Sequence, residues 1–509
     1  MTLSPAAMNL AAEWLKDCLS NHDSCQRPLE TELPTRVIDV GRDGDNPQLF
    51  IANGAKGHYV TLSHRWGEST PLTTTMSTLG KRVNGITMAE LPRTFQDAVR
   101  CTRYLGYKYL WIDSLCIIQD SKVDWEHESS QMQDIYTRAI LNISANAAHD
   151  STSGLGSSKR LTAGKPIGGS SNGDYVHLRD LYYHTDSSGV SHVPHQDEGF
   201  EHALQTRGWV LQERMLSPRI LHFSAYEMAW ECDTFCRCEC ATSPRKPTAR
   251  PFRTLLVKSE PDYDSHIAWS QLLRKYNTLK LTYESDKLLA FTGLAYKAAE
   301  FFRKTYLAGL WKEDLPFALL WYVKGGKEST RLKNYGLSWS WTSIRGEVGP
   351  ALWPTSPELS VVYEANITAV CLCSEVGRTL GPLQRRSISI RGKKVSINKL
   401  FLETQHQRVK ISSPPTMLEG ELIRPDVSDW TEFLDVGNGP LFLFLLYIYK
   451  QPGLNYPLAR GLIIRPINMI SENSVEEKCY RRIGYYRDWG RRNMWDKYNQ
   501  FQEEEICLV

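Results

Sequence analysis

The chain has 509 residues, too many for one hydrophobic core, and usual domain sizes of roughly 100–200 residues divide it into two or three units. A 41% hydrophobic and 11% aromatic content excludes a disordered chain. With 60 Lys and Arg against 57 Asp and Glu, the net charge of +3 creates no field able to hold a phosphate backbone, so a nucleic-acid partner is not expected.

Residues 1–35 read as an N-terminal helical segment. Residues 1–19 carry no basic leader, and Asn9, Glu13 and Lys16 interrupt their apolar residues, so no signal-peptide core is expected. The expected location is therefore the cytoplasm, where the twelve cysteines would be free thiols or metal ligands rather than a disulfide framework.

Residues 59–146 alternate strand, helix, strand, helix, strand. Residues 59–63 (YVTLS) are the first strand. After a Thr-rich loop, Leu91 and Pro92 open a helix in which Phe95, Ala98, Val99, Thr102 and Leu105 share one face, and Gly106 ends it. Residues 107–113 (YKYLWID) are too short and too rich in aromatic and branched side chains for a helix and form the second strand. A second helix runs from about 124 to 138, and residues 140–145 (ILNISA) supply the third strand. Strands alternating with helices imply right-handed crossovers, and hence an α/β fold with a parallel sheet and flanking helices.

The domain so begun is expected to span residues 36–240, with a polar surface insertion at 151–200 that carries His192 and His195. Residues 241–330 form a helical connector, its helical pattern running from about 264 to 321. Beyond, residues 331–509 show short strands with turns, at 361–372, 387–397, 441–449 and 461–467, and should form a mostly β domain. The apolar run at 440–449 (PLFLFLLYIY) is about half the ~20 residues a spanning helix needs, so no membrane span is expected. Neither a repeat, nor a dinucleotide-type glycine fingerprint, nor a Walker-type loop is present.

Ligands of a parallel sheet collect beyond the carboxyl ends of its strands, which here carry Ser63, His64, Arg65, Trp66 and Gly67, then Asp113 and Ser114, then Asn146. Arg65 offers a fixed donor fork for phosphate and Asp113 an acceptor for a diol; with His64 they could equally be a charge network closing the sheet. Ser63 beside His64 is no nucleophile and base pair, because adjacent strand residues point to opposite faces.

On the second helix Trp125, Glu128, Met132, Ile135, Tyr136 and Ala139 fall in one stripe at about 100° per residue, so Glu128 faces inward. A buried carboxylate is costly unless paired, and burial raises its pKa in the way active sites use. Two readings stay open: a structural ion pair, with Arg65 or Arg103 as partner, or a catalytic group. Cysteine and histidine gather in two places, Cys18, His22 and Cys25, then Cys232, Cys236, Cys238 and Cys240. Neither group has a standard zinc-finger spacing; a helix stripe and buried thiols account for them as well, and no metal ligand is assigned.

The segments 59–67 (YVTLSHRWG), 91–94 (LPRT) and 109–120 (YLWIDSLCIIQD), in that order, resemble the signature blocks of the HET (heterokaryon incompatibility) domain of fungi. The likeness continues through Asp124, Trp125, Glu128, Met132, Ile135, Tyr136 and Ala139, then through Arg207 to Trp209, Gln212 to Arg214 and Leu216 to Arg219, with His64 where Tyr is more familiar. Segments 22–25, 33–36, 306–311, 338–341 and 480–484 also resemble stretches common in long fungal HET proteins.

This resemblance implies non-self recognition that triggers programmed cell death when incompatible hyphae fuse. It also implies distant kinship with TIR (Toll/interleukin receptor) domains, and so a TIR/flavodoxin-like fold. Some TIR domains cleave NAD with one helical glutamate; the resemblance makes NAD a substrate and matches Glu128 to that residue, giving NAD glycohydrolase-like activity. A carboxylate would then stabilise the ribosyl cation, or bind its hydroxyls, as nicotinamide leaves. The rival readings are a non-catalytic signalling module and an accessory protein of fungal metabolism. The module would assemble with itself or with a protein partner of the incompatibility system through its aromatic-rich C-terminal region.

Overall fold

A computed structural model of the chain describes residues 3–25, 30–67, 71–156, 166–169, 175–177, 203–224, 228–239, 252–253, 260–323, 329–332, 337–350, 360–372, 386–397, 399–403, 408–413, 416–418, 422–426, 440–450, 458–468, 478–487 and 502–509. These fall into two compact units. One comprises residues 1–259, 279–281 and 289–294, and the other residues 260–278, 282–288 and 295–509.

The first unit opens with helix α1 (Pro5–Asn21). Ser4 caps it by accepting from the Ala7 N–H, proline occupies the first turn, and Ala7, Met8, Ala11, Trp14, Leu15 and Cys18 form the buried stripe. Strands β1 (Arg36–Asp39) and β2 (Gln48–Ile51) make an antiparallel hairpin. Strand β3 (Tyr59–Ser63) is buried at all five positions. Helix α2 (Arg93–Tyr104) buries Phe95, Ala98, Val99 and Thr102, and the chain turns away at Gly106, whose φ of 81° lies in the left-handed region. Strand β4 (Tyr109–Trp111) is shorter than expected because residues Asp113–Cys116 coil into a helical turn whose first N–H, that of Ser114, donates to the Asp113 carboxylate. Ser121 caps helix α3 (Lys122–Arg138), which leads to β5 (Leu141–Ser144). Helix α4 (Gly208–Leu216) then precedes β6 (Arg219–Phe223), β7 (Met228–Cys232) and β8 (Cys236–Cys238).

These strands form one sheet in the order β8-β7-β6-β5-β3-β4-β1-β2. Only the four central strands are parallel. The sheet is therefore mixed, not wholly parallel, because β1 with β2 and β6 to β8 are linked by short turns that permit only antiparallel pairing. All positions of β3 and β5 are buried, as expected of parallel strands covered on both faces. Counted in chain order, the parallel strands lie 2-1-3-4, so the winding direction reverses between β3 and β5. That reversal is where open α/β sheets place their ligands, beyond the carboxyl ends. Of the 151–200 insertion, residues 151–156 and the hairpin of Pro166–Gly169 with Tyr175–His177 are described; His192 and His195 lie outside the described residues.

In the second unit, Asp262 and Ser265 form a reciprocal cap for helix Tyr263–Asn277. The expected helical stretch also contains Asp286–Phe302, of which residues 289–294 are grouped with the first unit, but it ends in the hairpin of Tyr306–Leu307 with Leu310–Trp311 and in 3-10 turns. Downstream lies an eight-stranded sheet, antiparallel except where Lys478–Arg487 meets Gln502–Leu508. The apolar run is strand Leu441–Lys450, paired on both sides, with Leu441, Leu443 to Tyr447 and Ile448 buried. A buried cation anchors this unit: Arg482 pairs with Asp426 at 2.9 Å, donates to the Leu319 and Trp321 carbonyls at 2.6 Å each, and stacks 3.4 Å over the Trp321 ring. Among the described residues no helix is long and apolar enough to cross a membrane.

Candidate functional site

At the end of β3 the chain places alternate side chains on opposite sides of the sheet. The buried Ser63 hydroxyl exchanges hydrogen bonds with the Asn142 side chain of β5, at 2.9 and 3.2 Å. His64 packs edge-on against Phe95 of α2, ring centroids 4.9 Å apart, with Nδ1 3.7 Å from the Asp113 carboxylate. Burial pulls the imidazole down to about 4, against the attraction of Asp113, so His64 is neutral at neutral pH. Arg207 donates to the His64 carbonyl at 2.7 Å.

Asp113 stands at the rim with its side chain 24% exposed, and accepts from the Trp66 indole N–H at 3.0 Å. Arg65, next in the chain after His64, is half-buried, and its guanidinium has no partner among the described residues. Trp66 and His64 thus gather about Asp113, while Ser63 bonds to Asn142. Asn146, by contrast, turns toward β6, where its amide meets His222 Nδ1 at 3.1 Å and His222 Nε2 meets Glu231 at 2.9 Å.

Glu128 faces inward as its stripe requires and is 0% exposed. Its neighbour is neither Arg65 nor Arg103 but Arg36, with Oε1 3.4 Å from Nη2. The same guanidinium grips Asp124 at 2.6 and 2.7 Å and donates to the Cys116 carbonyl at 2.7 Å. Glu128 therefore belongs to a junction tying α3 to β1 and to the loop after β4. Burial raises its pKa, opposed by Thr35 and Arg36. Arg103 instead caps the carbonyls of Val40 and Asp45 at the other end of the sheet.

A second carboxylate, Glu213 of α4, was visible in the sequence only as part of a block, Gln212 to Arg214. It is 6% exposed, and its Oε2 has no hydrogen-bond partner among the described residues. Burial lifts its pKa to about 7; Asp113 adds to the rise, while Ser63, Arg207 and Tyr136 oppose it. The buried Tyr136 phenol faces both Ser63 and Glu213. Glu213 thus lies close to the end of β3, at the β3/β5 reversal, within electrostatic reach of Ser63, Tyr136, Asp113 and Arg207. A carboxyl group ionising near 7 can take up or release a proton in neutral solution, as general acid–base chemistry requires.

A cavity of about 1210 Å³ opens at the amino end of β4, lined by Asp39, Arg42, Arg103, Tyr107 and Lys108 among others. All its lining residues are at least partly exposed, so it lacks desolvated groups of the kind His64 and Glu213 supply near the end of β3. Of the two cysteine groups, Cys18, His22 and Cys25 are brought together with Cys232, whereas Cys236 and Cys238 sit partly exposed on β8 and Cys240 lies outside the described residues.

Residues 59–213, from the first residue of β3 to Glu213 of α4, match the family model described as Heterokaryon incompatibility protein (HET), so the chain carries a HET domain. No match was found among curated proteins or solved structures.

Proposed function

We propose, on the premise that residues 59–213 are a HET domain, that this protein is a heterokaryon-incompatibility effector whose first unit cleaves NAD and thereby starts programmed cell death. The observation that carries the reading is Glu213: a desolvated carboxylate with a pKa near 7, at the reversal point of a 2-1-3-4 parallel core. That strand order supports the TIR/flavodoxin-like reading of the domain. Glu213 takes the role that the resemblance matched to Glu128, because Arg36 binds Glu128 into the scaffold.

In this reaction the bond between the nicotinamide ring nitrogen and ribose C1′ breaks, and its electron pair passes to the pyridinium nitrogen, so nicotinamide leaves neutral. Glu213 as carboxylate stabilises the ribosyl cation. Water then adds at C1′ and gives its proton to Glu213, leaving ADP-ribose. Arg65, whose donor fork has no partner among the described residues, holds the pyrophosphate, and Asp113 accepts from ribose hydroxyls.

The test is induced expression of the wild type and of Glu213→Gln, following viability and cellular NAD together. The expected result is death with NAD depletion for the wild type and neither for the variant. Death with unchanged NAD contradicts cleavage; if it also requires residues after 335, it favours a non-catalytic assembly module.

A further inference from the structure

At the far side of the first unit, the end of α1 and the turn after it meet the β7/β8 hairpin through sulfur and imidazole. Cys18, Cys25 and Cys232 Sγ and a ring nitrogen of His22 all lie within 4.8 Å of one another, and all four residues are buried. His22 Nδ1 is 3.5 Å from Cys232 Sγ. Four tetrahedral ligands at zinc bond lengths stand about 3.5–3.8 Å apart, so a small closure of the set around one ion is enough.

The surroundings supply the second half of such a site. Each sulfur has its own polar neighbour: the Phe235 N–H donates to Cys232 at 3.3 Å, the Thr234 hydroxyl lies 3.5 Å from Cys25, and Arg219 Nε donates to Cys18 at 3.2 Å. Behind His22, the Asp17 carboxylate stands 3.8 Å from Nε2, outside hydrogen-bonding distance but on the side where a carboxylate orients the ring of a metal ligand; Phe235 packs edge-on against the same ring.

Arg219 gives an independent argument. It is 0% exposed, and its other donors go to the backbone carbonyls of Ile140 and Cys25. No carboxylate partners it among the described residues. A guanidinium removed from water needs a counter-charge, and three thiolates, a neutral imidazole and one divalent ion supply a single negative charge beside it.

We propose that Cys18, His22, Cys25 and Cys232 bind one zinc ion in a closed structural site that fastens the end of α1 to the β7/β8 hairpin. Four protein ligands leave no open position, so the ion holds the fold and takes no part in turnover. A disulfide between any two of the cysteines would remove the thiolates that offset the buried Arg219 charge.

The full chain, purified without chelator, should contain roughly one zinc per molecule. Cobalt(II) exchanged into it should give the thiolate charge-transfer and ligand-field bands of a tetrahedral site with three sulfurs. Cys232→Ser should lose the metal, while Cys236→Ser, partly exposed and outside the set, should keep it. If Cys232→Ser fails to fold, the cobalt spectrum of the wild type decides alone. A metal content far below one after zinc is offered, absence of the sulfur-ligated cobalt spectrum, a disulfide among the three cysteines, or loss of metal from Cys236→Ser overturns the assignment.

Discussion

Replacing Glu213 by Gln should make the first unit more stable than the wild type at pH 8 and leave it nearly unchanged at pH 4.5. The carboxyl group ionises at 4.5 ordinarily and at about 7 in the fold, with burial as the first cause. Its protonated form carries no penalty, so the cost is absent below about 4.5, grows as pH rises, and is complete above about 7. Each pH unit of displacement corresponds to about 1.4 kcal/mol, so the full cost is about 3 kcal/mol. Glutamine keeps the shape and can still meet the Ser63 and Tyr136 hydroxyls, but it is never charged. For a unit of this size the gain corresponds to a rise of roughly 6–12 °C in unfolding midpoint at pH 8. Thermal unfolding followed by tryptophan fluorescence, run on both proteins at pH 5 and pH 8, reads the difference. An offset equal at the two pH values, or a less stable variant at pH 8, would refute the argument from desolvation.

His64 should behave in the opposite sense. Its folded value of about 4 lies below the ordinary 6.5, so the stability it allows is present above 6.5 and is lost as pH falls toward 4. His64→Phe should therefore gain about 3 kcal/mol relative to the wild type between pH 7 and pH 4, and the His64 ring resonance should not titrate between pH 6 and 8. Arg36→Met strands the Glu128 and Asp124 carboxylates and should cost about 3–5 kcal/mol in denaturant unfolding, with much of the loss recovered in the Arg36→Met, Glu128→Gln double variant. Arg482→Met should destabilise the second unit by about 3–5 kcal/mol and alter its tryptophan emission, since the guanidinium lies on the Trp321 ring.

The parallel core was legible because β3, β4 and β5 are short apolar runs separated by helices whose inward faces repeat at three and four residues. Glu128 could be placed inward for the same reason. Its partner could not, because Arg36 arrives from 92 residues away on a four-residue strand with no local signal. Glu213 escaped notice for another reason: α4 buries seven of its nine residues, Gly208, Val210 to Glu213, Met215 and Leu216, so no stripe singles out one polar position. The hairpins at the sheet edges were missed because strands of three to five residues carry too few alternations to register. In the same way Cys232 joins His22 across 210 residues, a separation at which spacing in the sequence says nothing about proximity.

The central claim concerns which carboxylate reacts, and nicotinamide release from NAD by the purified full chain tests it most directly. The wild type should turn over NAD, Glu213→Gln should lose at least about 100-fold, the usual scale for one acid–base group, and Glu128→Gln should keep measurable turnover. Undiminished release by Glu213→Gln, or its loss only in Glu128→Gln, would contradict the account.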